Sequence, residues 1–259
     1  MIFTAIPYCP KHKIYTHDIS YNKELYIQGG RNKQAQSVEL LDKDLSFAYN
    51  ELMERMNDDD WVCFIDHDAM FTTKTWYKQI EKIIENLDSN VGALTCLTNR
   101  LSKSGKYQWA SFYYEDIIKK LMKKFKFKLS KNWVLDYQNI HDIKFHRELG
   151  HLIQKENMHT TKTYPTKFWK TKNIKGVDKY NSLDVSMSGV VILISKKIWK
   201  EIKFPPGSKE SGGLLGVDNW FHKELAKNKY YVQIMTGIYV YHWYDNNENL
   251  TKFNSLIDC

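Results

Sequence analysis

The sequence predicts an α/β fold, with a mostly parallel central sheet and helices on both faces. Two observations predict it. Strand-like and helix-like segments alternate through the first hundred residues, as they do in βαβ units. Carboxylates also stand just past short apolar runs, where ligand sites form at the C-terminal edge of a parallel sheet. The size and composition allow such a core. Of 259 residues, 42% are apolar and 14% aromatic, enough for a folded globular chain.

The elements follow in order. Ile2 to Ile6 reads as the first strand, ended by Pro7. Residues 9–41 carry weak signals: Ile14 to Ile19 suits a strand, and Gly29-Gly30 marks a turn. A helix is expected from Asp44, its cap, with Leu45, Ala48, Leu52 and Met56 on one face. Trp61 to Ile65, after the polar run Asn57–Asp60, reads as a buried strand. A second helix carries Trp76, Ile80, Ile83 and Leu87, and Val91 to Leu97 is the next strand.

Residues 99–180 break this pattern. The segment is rich in lysine and aromatic residues, holds Trp109, Trp133 and Trp169, and shows no clean strand. It reads as an elaboration on the core, with Trp109 and Trp133 as candidate stacking or packing residues. His141, His146 and His151 recur every five residues, which does not keep all three on one helical face and argues against a histidine metal site. Order returns with the buried strand Gly189 to Ile194. Ser195 caps a short helix containing Ile198 and Trp199. A proline- and glycine-rich loop leads to Asp218, which opens a helix through Phe221 and Leu225. Tyr230 to Met235 and Ile238 to Tyr241 are the last strands, followed by His242.

Asp66-His67-Asp68 is the main chemical signal, because it ends the Trp61–Ile65 strand. In extended chain, carboxylates at i and i+2 share one face, about 6–7 Å apart. At a sheet edge that face suits a cation or a phosphate. A plain polar strand end would look the same.

The net charge of +8 is uneven. Lys119, Lys120, Lys123, Lys124, Lys126, Lys128 and Lys131 crowd one stretch, with Ile117, Ile118, Leu121, Met122 and Phe125 at helical spacing. The region 117–131 therefore reads as an amphipathic helix with a basic face. That face is either solvated or turned to nucleic acid, an anionic membrane or an acidic glycan. No apolar run approaches the roughly 20 residues of a transmembrane segment. The N-terminus lacks a basic n-region, so a cytoplasmic location is expected. Cys9, Cys63, Cys96 and Cys259 have no metal-ligand spacing, and Cys63 and Cys96 fall in apolar runs as buried thiols.

Together these landmarks resemble a GT-A nucleotide-sugar glycosyltransferase of the family-2-like group. Ile6-Pro7-Tyr8 resembles its opening strand, which closes on a proline beside the nucleotide. Ala48-Tyr49-Asn50 is similar to its Ala-Arg-Asn segment, with Tyr49 in place of arginine. Asp66-His67-Asp68 matches its Asp-x-Asp, and Gly216-Val217-Asp218-Asn219 resembles its Glu-Asp motif with Val217 at the glutamate position. Tyr241-His242-Trp243 looks like the late histidine of some members.

The resemblance implies a single Rossmann-like GT-A domain over 1–259. Residues 1–100 would be the nucleotide-sugar-binding half, 99–180 an acceptor-side insertion and 182–245 the catalytic half. It further implies transfer of a sugar from a nucleotide-sugar donor, a UDP-sugar first, to the hydroxyl of a glycan or another acceptor, nucleic acid included, with inversion. Pro7, Tyr8, Asn50 and Asp66 would hold the donor. Asp66, Asp68 and His242 would hold Mn²⁺ or Mg²⁺, a hard-ligand set that one imidazole tilts toward Mn²⁺. Asp218 would be the general base. Competing readings are a metal-dependent nuclease or phosphotransferase, which also needs clustered carboxylates and welcomes positive charge, and a non-catalytic basic binding module.

Overall fold

The computed structural model describes residues 1–8, 36–39, 45–66, 69–99, 103–165, 168–169, 182–183, 187–205 and 217–242. The candidate strand at Ile14 to Ile19, the turn at Gly29-Gly30 and the cap Asp44 lie outside them.

The main sheet is built from β1 (Ile2–Tyr8), β2 (Gln36–Glu39), β3 (Trp61–Ile65), β4 (Ala69–Phe71), β5 (Val91–Thr98), β6 (Thr161–Thr163), β9 (Val191–Ser195) and β10 (Tyr231–His242). Its order is β2-β1-β3-β9-β5-β10-β4, with β6 also paired to β10. A small ribbon joins β7 (Phe168–Trp169) to β8 (Ser182–Leu183). Strands β1, β2, β3, β5 and β10 share one direction, and β9, β4 and β6 run against them. The sheet is therefore mixed, where a mostly parallel one was expected. An apolar run such as Val191–Ser195 looks the same in either direction, so its antiparallel insertion between β3 and β5 left no mark in the residues.

Strand β1 continues through Pro7 to Tyr8 and does not end at the proline. It pairs with β3 only over Ile2 to Ala5 and with β2 over Ala5 to Tyr8. Pro7 thus sits where the β3 side is already unpaired, and its missing N–H costs no ladder bond there. The two expected C-terminal strands are one strand, β10, with a register shift between Met235 and Tyr239. Gly237 lies inside that shift. A Cβ there would stand 1.9 Å from the Asn157 carbonyl oxygen, so the glycine is what lets the neighbouring helix end close in.

Alternation along the strands divides the core between the two faces. Val62, Phe64, Ala93, Leu97, Ile192 and Ile194 belong to one buried cluster, while Cys63, Ile65, Leu94, Cys96, Val191 and Leu193 belong to the other. Against the second face packs α2 (Trp76–Glu85), whose Trp76 stacks on Phe71 at 4.0 Å. The first face is covered by α1 (Leu45–Glu54), α4 (Glu115–Lys124), α6 (Ile143–Asn157) and α8 (Val217–Lys227). Short helices α3 (Ala110–Tyr113), α5 (Trp133–Gln138) and α7 (Lys196–Glu201) complete the set. As predicted, Ser195 caps α7, its Oγ accepting from the Ile198 N–H at 3.2 Å. Lys196 lies buried beside it and donates to the Met53 and Glu54 carbonyls that end α1, a cation on a helix C-terminus.

The middle segment is not peripheral. Ile118, Leu121, Met122, Phe145, Leu149 and Ile153 join the same cluster as Leu97, Val232 and Ile234, and β6 pairs directly with β10. Buried polar groups fasten it as well. The His146 Nε2–H donates to the Ile140 carbonyl at 2.8 Å, and Nδ1 accepts from the Tyr239 hydroxyl at 2.7 Å. The carbonyl can only accept, which fixes that tautomer. Tyr137 bonds Tyr239 at 2.9 Å, and His141 Nδ1 meets the Tyr241 hydroxyl at 2.9 Å. His141 and His146 thus serve as anchors onto β10, and His151 is exposed.

Candidate active site

Strand direction brings the site residues to one edge. Strands β1, β3, β5 and β10 end there at Tyr8, Ile65, Thr98 and His242, and antiparallel β9 begins there after Ser188-Gly189-Val190. Asp66 follows β3 directly, its N–H donating to the Val190 carbonyl at 3.0 Å. The Ala69 N–H then bonds back to the Asp66 carbonyl at 3.1 Å. This i to i+3 bond is of the kind that closes a turn between β3 and β4. His67 and Asp68 lie outside the described residues.

The turn matters because of what lies beside it. Ala69 pairs with His242 across β4 and β10, placing the last residue of β10 against the turn. His242 Nε2 stands 3.7 Å from Asp66 Oδ2. Asn99, just past β5, holds that strand end on both sides: its Oδ1 accepts from the His242 N–H at 2.7 Å and its amide donates to the His242 carbonyl at 3.0 Å.

Asp218 approaches from α8, in its first turn. Its Oδ2 accepts from the Gly189 N–H at 2.8 Å, and a Cβ on Gly189 would already meet Asp218 at 3.3 Å. Burial raises the Asp218 pKa above the usual carboxylate range, partly offset by the N–H groups of Asn219 and Gly189. Its place in the first turn of α8 favours the ionised form, but desolvation outweighs it.

Tyr49 feels both carboxylates. Its ring stacks on Phe64 at 4.0 Å, and its phenol is held well above its ordinary pKa first by burial, then by the charges of Asp66 and Asp218. It stands at the position where the resembled group carries arginine. The buried Tyr164 phenol is likewise raised, by burial and then by Tyr113, Asp218 and Tyr107.

The remaining expected residues fall as follows. Pro7 and Tyr8 occupy the end of β1 at this same edge, their backbone paired to Val38 and Glu39. Asn50 does not reach the cleft as a donor ligand. Its Oδ1 accepts from Trp199 Nε1 and the Phe204 N–H, at 2.8 and 3.0 Å, and its amide donates to the Phe204 carbonyl at 2.8 Å. It is committed to the segment after α7. Trp109 bridges to Thr98 just beyond β5, whereas Trp133 packs under Lys119, whose ammonium lies 4.8 Å from its ring. The lysine face of α4 is partly tied down, with Lys119 paired to Glu115 and Lys124 to Glu148.

Several residues here gave no sequence signal. Gln108 donates to Thr95 Oγ1 at 2.6 Å and accepts from the Ser188 N–H at 2.6 Å, pinning the loop before β9 to β5. His222, one turn after Asp218, accepts from the Met187 N–H at 3.1 Å through Nδ1, and burial pushes its pKa down to about 4. Asn99 alone could have been found, as a polar residue directly after a buried strand.

Among the described residues, no group of three or more His, Cys, Asp or Glu is arranged to hold a metal ion. The Asp66–His242 pair nevertheless fits two ligands of one. Ligand atoms about 2.1 Å from a cation lie about 3.0 Å apart when adjacent and about 4.2 Å apart when opposite, and 3.7 Å falls between. A cavity of about 490 Å³ lies at the other edge of the sheet, bounded by Trp61, Leu87, Asn90, Lys197 and Tyr230. It contains none of these acids.

Compared with known protein families and with curated proteins, the chain matches none. Among the described residues no helix is long and apolar enough to cross a membrane.

Proposed function

We propose that the chain is a GT-A-type, metal-dependent glycosyltransferase that moves a sugar from a nucleotide-sugar donor, a UDP-sugar first, to an acceptor hydroxyl with inversion, in the cytoplasm. One observation carries the reading. Asp66 and His242, from separate strand ends, lie 3.7 Å apart at the edge where Asp218 enters from a helix, and both carboxylates bear on Tyr49.

Asp66, His242 and, by its place in the motif, Asp68 would hold Mn²⁺ or Mg²⁺. Bound there, the cation would neutralise charge on the donor diphosphate as the glycosidic bond breaks. Asp218 has the properties of a base. It is fixed by the Gly189 N–H, and its raised pKa makes the ionised carboxylate a stronger proton acceptor. The acceptor oxygen forms the new bond to the anomeric carbon, the bond to the diphosphate breaks, and the acceptor proton passes to Asp218. Attack opposite the leaving group inverts the configuration. Tyr49, buried against Phe64, belongs to the apolar core behind this edge.

The test is a hydrolysis screen of nucleotide sugars with Mn²⁺, run beside labelled DNA. Metal-dependent release of sugar from one donor supports the reading. Nicked DNA with every donor intact turns it to a nuclease, and no turnover of either leaves the basic binding module.

A further inference from the structure

Outside the acidic edge, an aromatic wall stands where β5 gives way to the helical segment. Phe112 on α3 is 52% exposed. Its ring centroid lies 5.3 Å from Tyr107 and 5.0 Å from Tyr113, both edge-on. The flanking rings already carry cations, with the Lys106 ammonium 5.1 Å from the Tyr107 centroid and the Lys162 ammonium 4.8 Å from that of Tyr113. Neither lysine has a carboxylate partner among the described residues, unlike Lys119 and Lys124 on the neighbouring helix. An exposed phenylalanine between two cation-bearing rings gains little from folding alone.

Beneath the wall, Tyr107 meets the buried Tyr164 at 6.1 Å, and Tyr164 stands against the buried His222 ring at 5.3 Å, one helical turn from Asp218. The wall thus packs on the core beside the candidate site.

We propose that Tyr107, Phe112 and Tyr113, with Lys106 and Lys162, form a binding subsite for an acid-bearing oligosaccharide acceptor. The C–H face of one sugar ring would lie on Phe112, with its acid group between the two ammonium groups. As an acceptor subsite this rests on the transferase reading; as a binding site it does not. A pyranose offers the apolar C–H face that an aromatic ring takes, and two lysines over adjacent rings supply the charge that a uronate, sialate or sugar phosphate needs.

The test is binding without donor. Short uronate-, sialate- and phosphate-bearing oligosaccharides and their uncharged counterparts are titrated into the full chain, with saturation-transfer NMR and calorimetry as readouts. At least one acidic series binds more tightly than its uncharged counterpart, and raising salt narrows the gap. Phe112→Ala, at an exposed position, weakens binding about threefold to tenfold, the worth of one aromatic contact. The Lys106→Gln, Lys162→Gln double variant erases the preference for acid groups. Binding by no acidic oligosaccharide, or binding that ignores both sets of substitutions, overturns the proposal. A wild-type protein that hydrolyses donor but binds no oligosaccharide loses this inference alone. One that binds acidic oligosaccharides but hydrolyses no donor loses the transferase reading alone.

Discussion

Acid should destabilise this protein through two buried histidines, by an amount that can be worked out. Burial pushes the His146 pKa from 6.5 to about 3 and the His222 pKa to about 4. Both are neutral in the folded state, while the unfolded chain takes up a proton on each near pH 6.5. The folded values lie below the unfolded ones, so the contribution is complete above about pH 6.5 and is lost as pH falls toward the folded values. At pH 5 each histidine has forfeited about 1.5 units, or about 2 kcal/mol, and the two together about 4 kcal/mol. That is a large part of an ordinary folding stability of about 5–15 kcal/mol. Asp218, with a raised pKa, works the other way and offsets part of the loss as it protonates. His146→Gln isolates one member, because glutamine does not titrate. Urea unfolding at pH 7 and pH 5 should show the variant losing about 2 kcal/mol less than wild type across that interval, whatever its stability at neutral pH. Parallel pH profiles for the two proteins would refute the assignment of a neutral, buried His146.

Other expectations concern the site and the core. Asp218→Asn should lower transfer by roughly 10²–10⁴-fold with donor affinity nearly intact, and wild-type transfer should rise with pH as the carboxylate ionises; a variant that transfers normally removes the base from the scheme. Asp68→Ala and His242→Ala should each weaken Mn²⁺ binding measured with nucleotide present, and unchanged titrations would move the metal elsewhere. Gly237→Ala should cost about 2–4 kcal/mol in urea unfolding, since its Cβ would meet the Asn157 carbonyl; a neutral effect would mean that α6 does not press on β10 there. Cys63 and Cys96 are buried, with the Cys63 thiol pushed up to about 12, so a thiol reagent should label them only after unfolding.

The parts of this fold that depend on local pattern were legible in the residues. Trp61–Ile65 and Val91–Leu97 read as buried strands, and α1, α2 and the Ser195 cap fell close to where spacing put them. What stayed hidden depended on partners distant in sequence. Asn50 was read from its likeness to the Ala-Arg-Asn segment, and nothing near it indicated the Phe204 backbone it binds, 154 positions away. Gly237 looked like a strand break because the helix end it admits comes from Asn157. The acids were found because they followed strands, but the bond that ties Ala69 back to Asp66 was not, since a carboxylate at a strand end suits extended chain and turn alike. His222 and Gln108 were missed for the same reason as Asn50, as nothing near them in sequence indicates the backbone groups they bind.

Strand β10 has a consequence for how this chain can be altered. One strand supplies the floor under the helical segment through Tyr239 and Tyr241, and then ends on the histidine beside the acidic turn. The segment between β5 and β9 looks like a cassette when read linearly, but its hydrogen-bonding sockets belong to a strand encoded some seventy residues later. A graft of residues 103–165 from another protein would bring helices shaped for different sockets and leave two phenols facing strangers. Diversification of the acceptor side must therefore proceed by coupled change at both places, or be confined to the outward row that holds Lys106, Phe112 and Lys162.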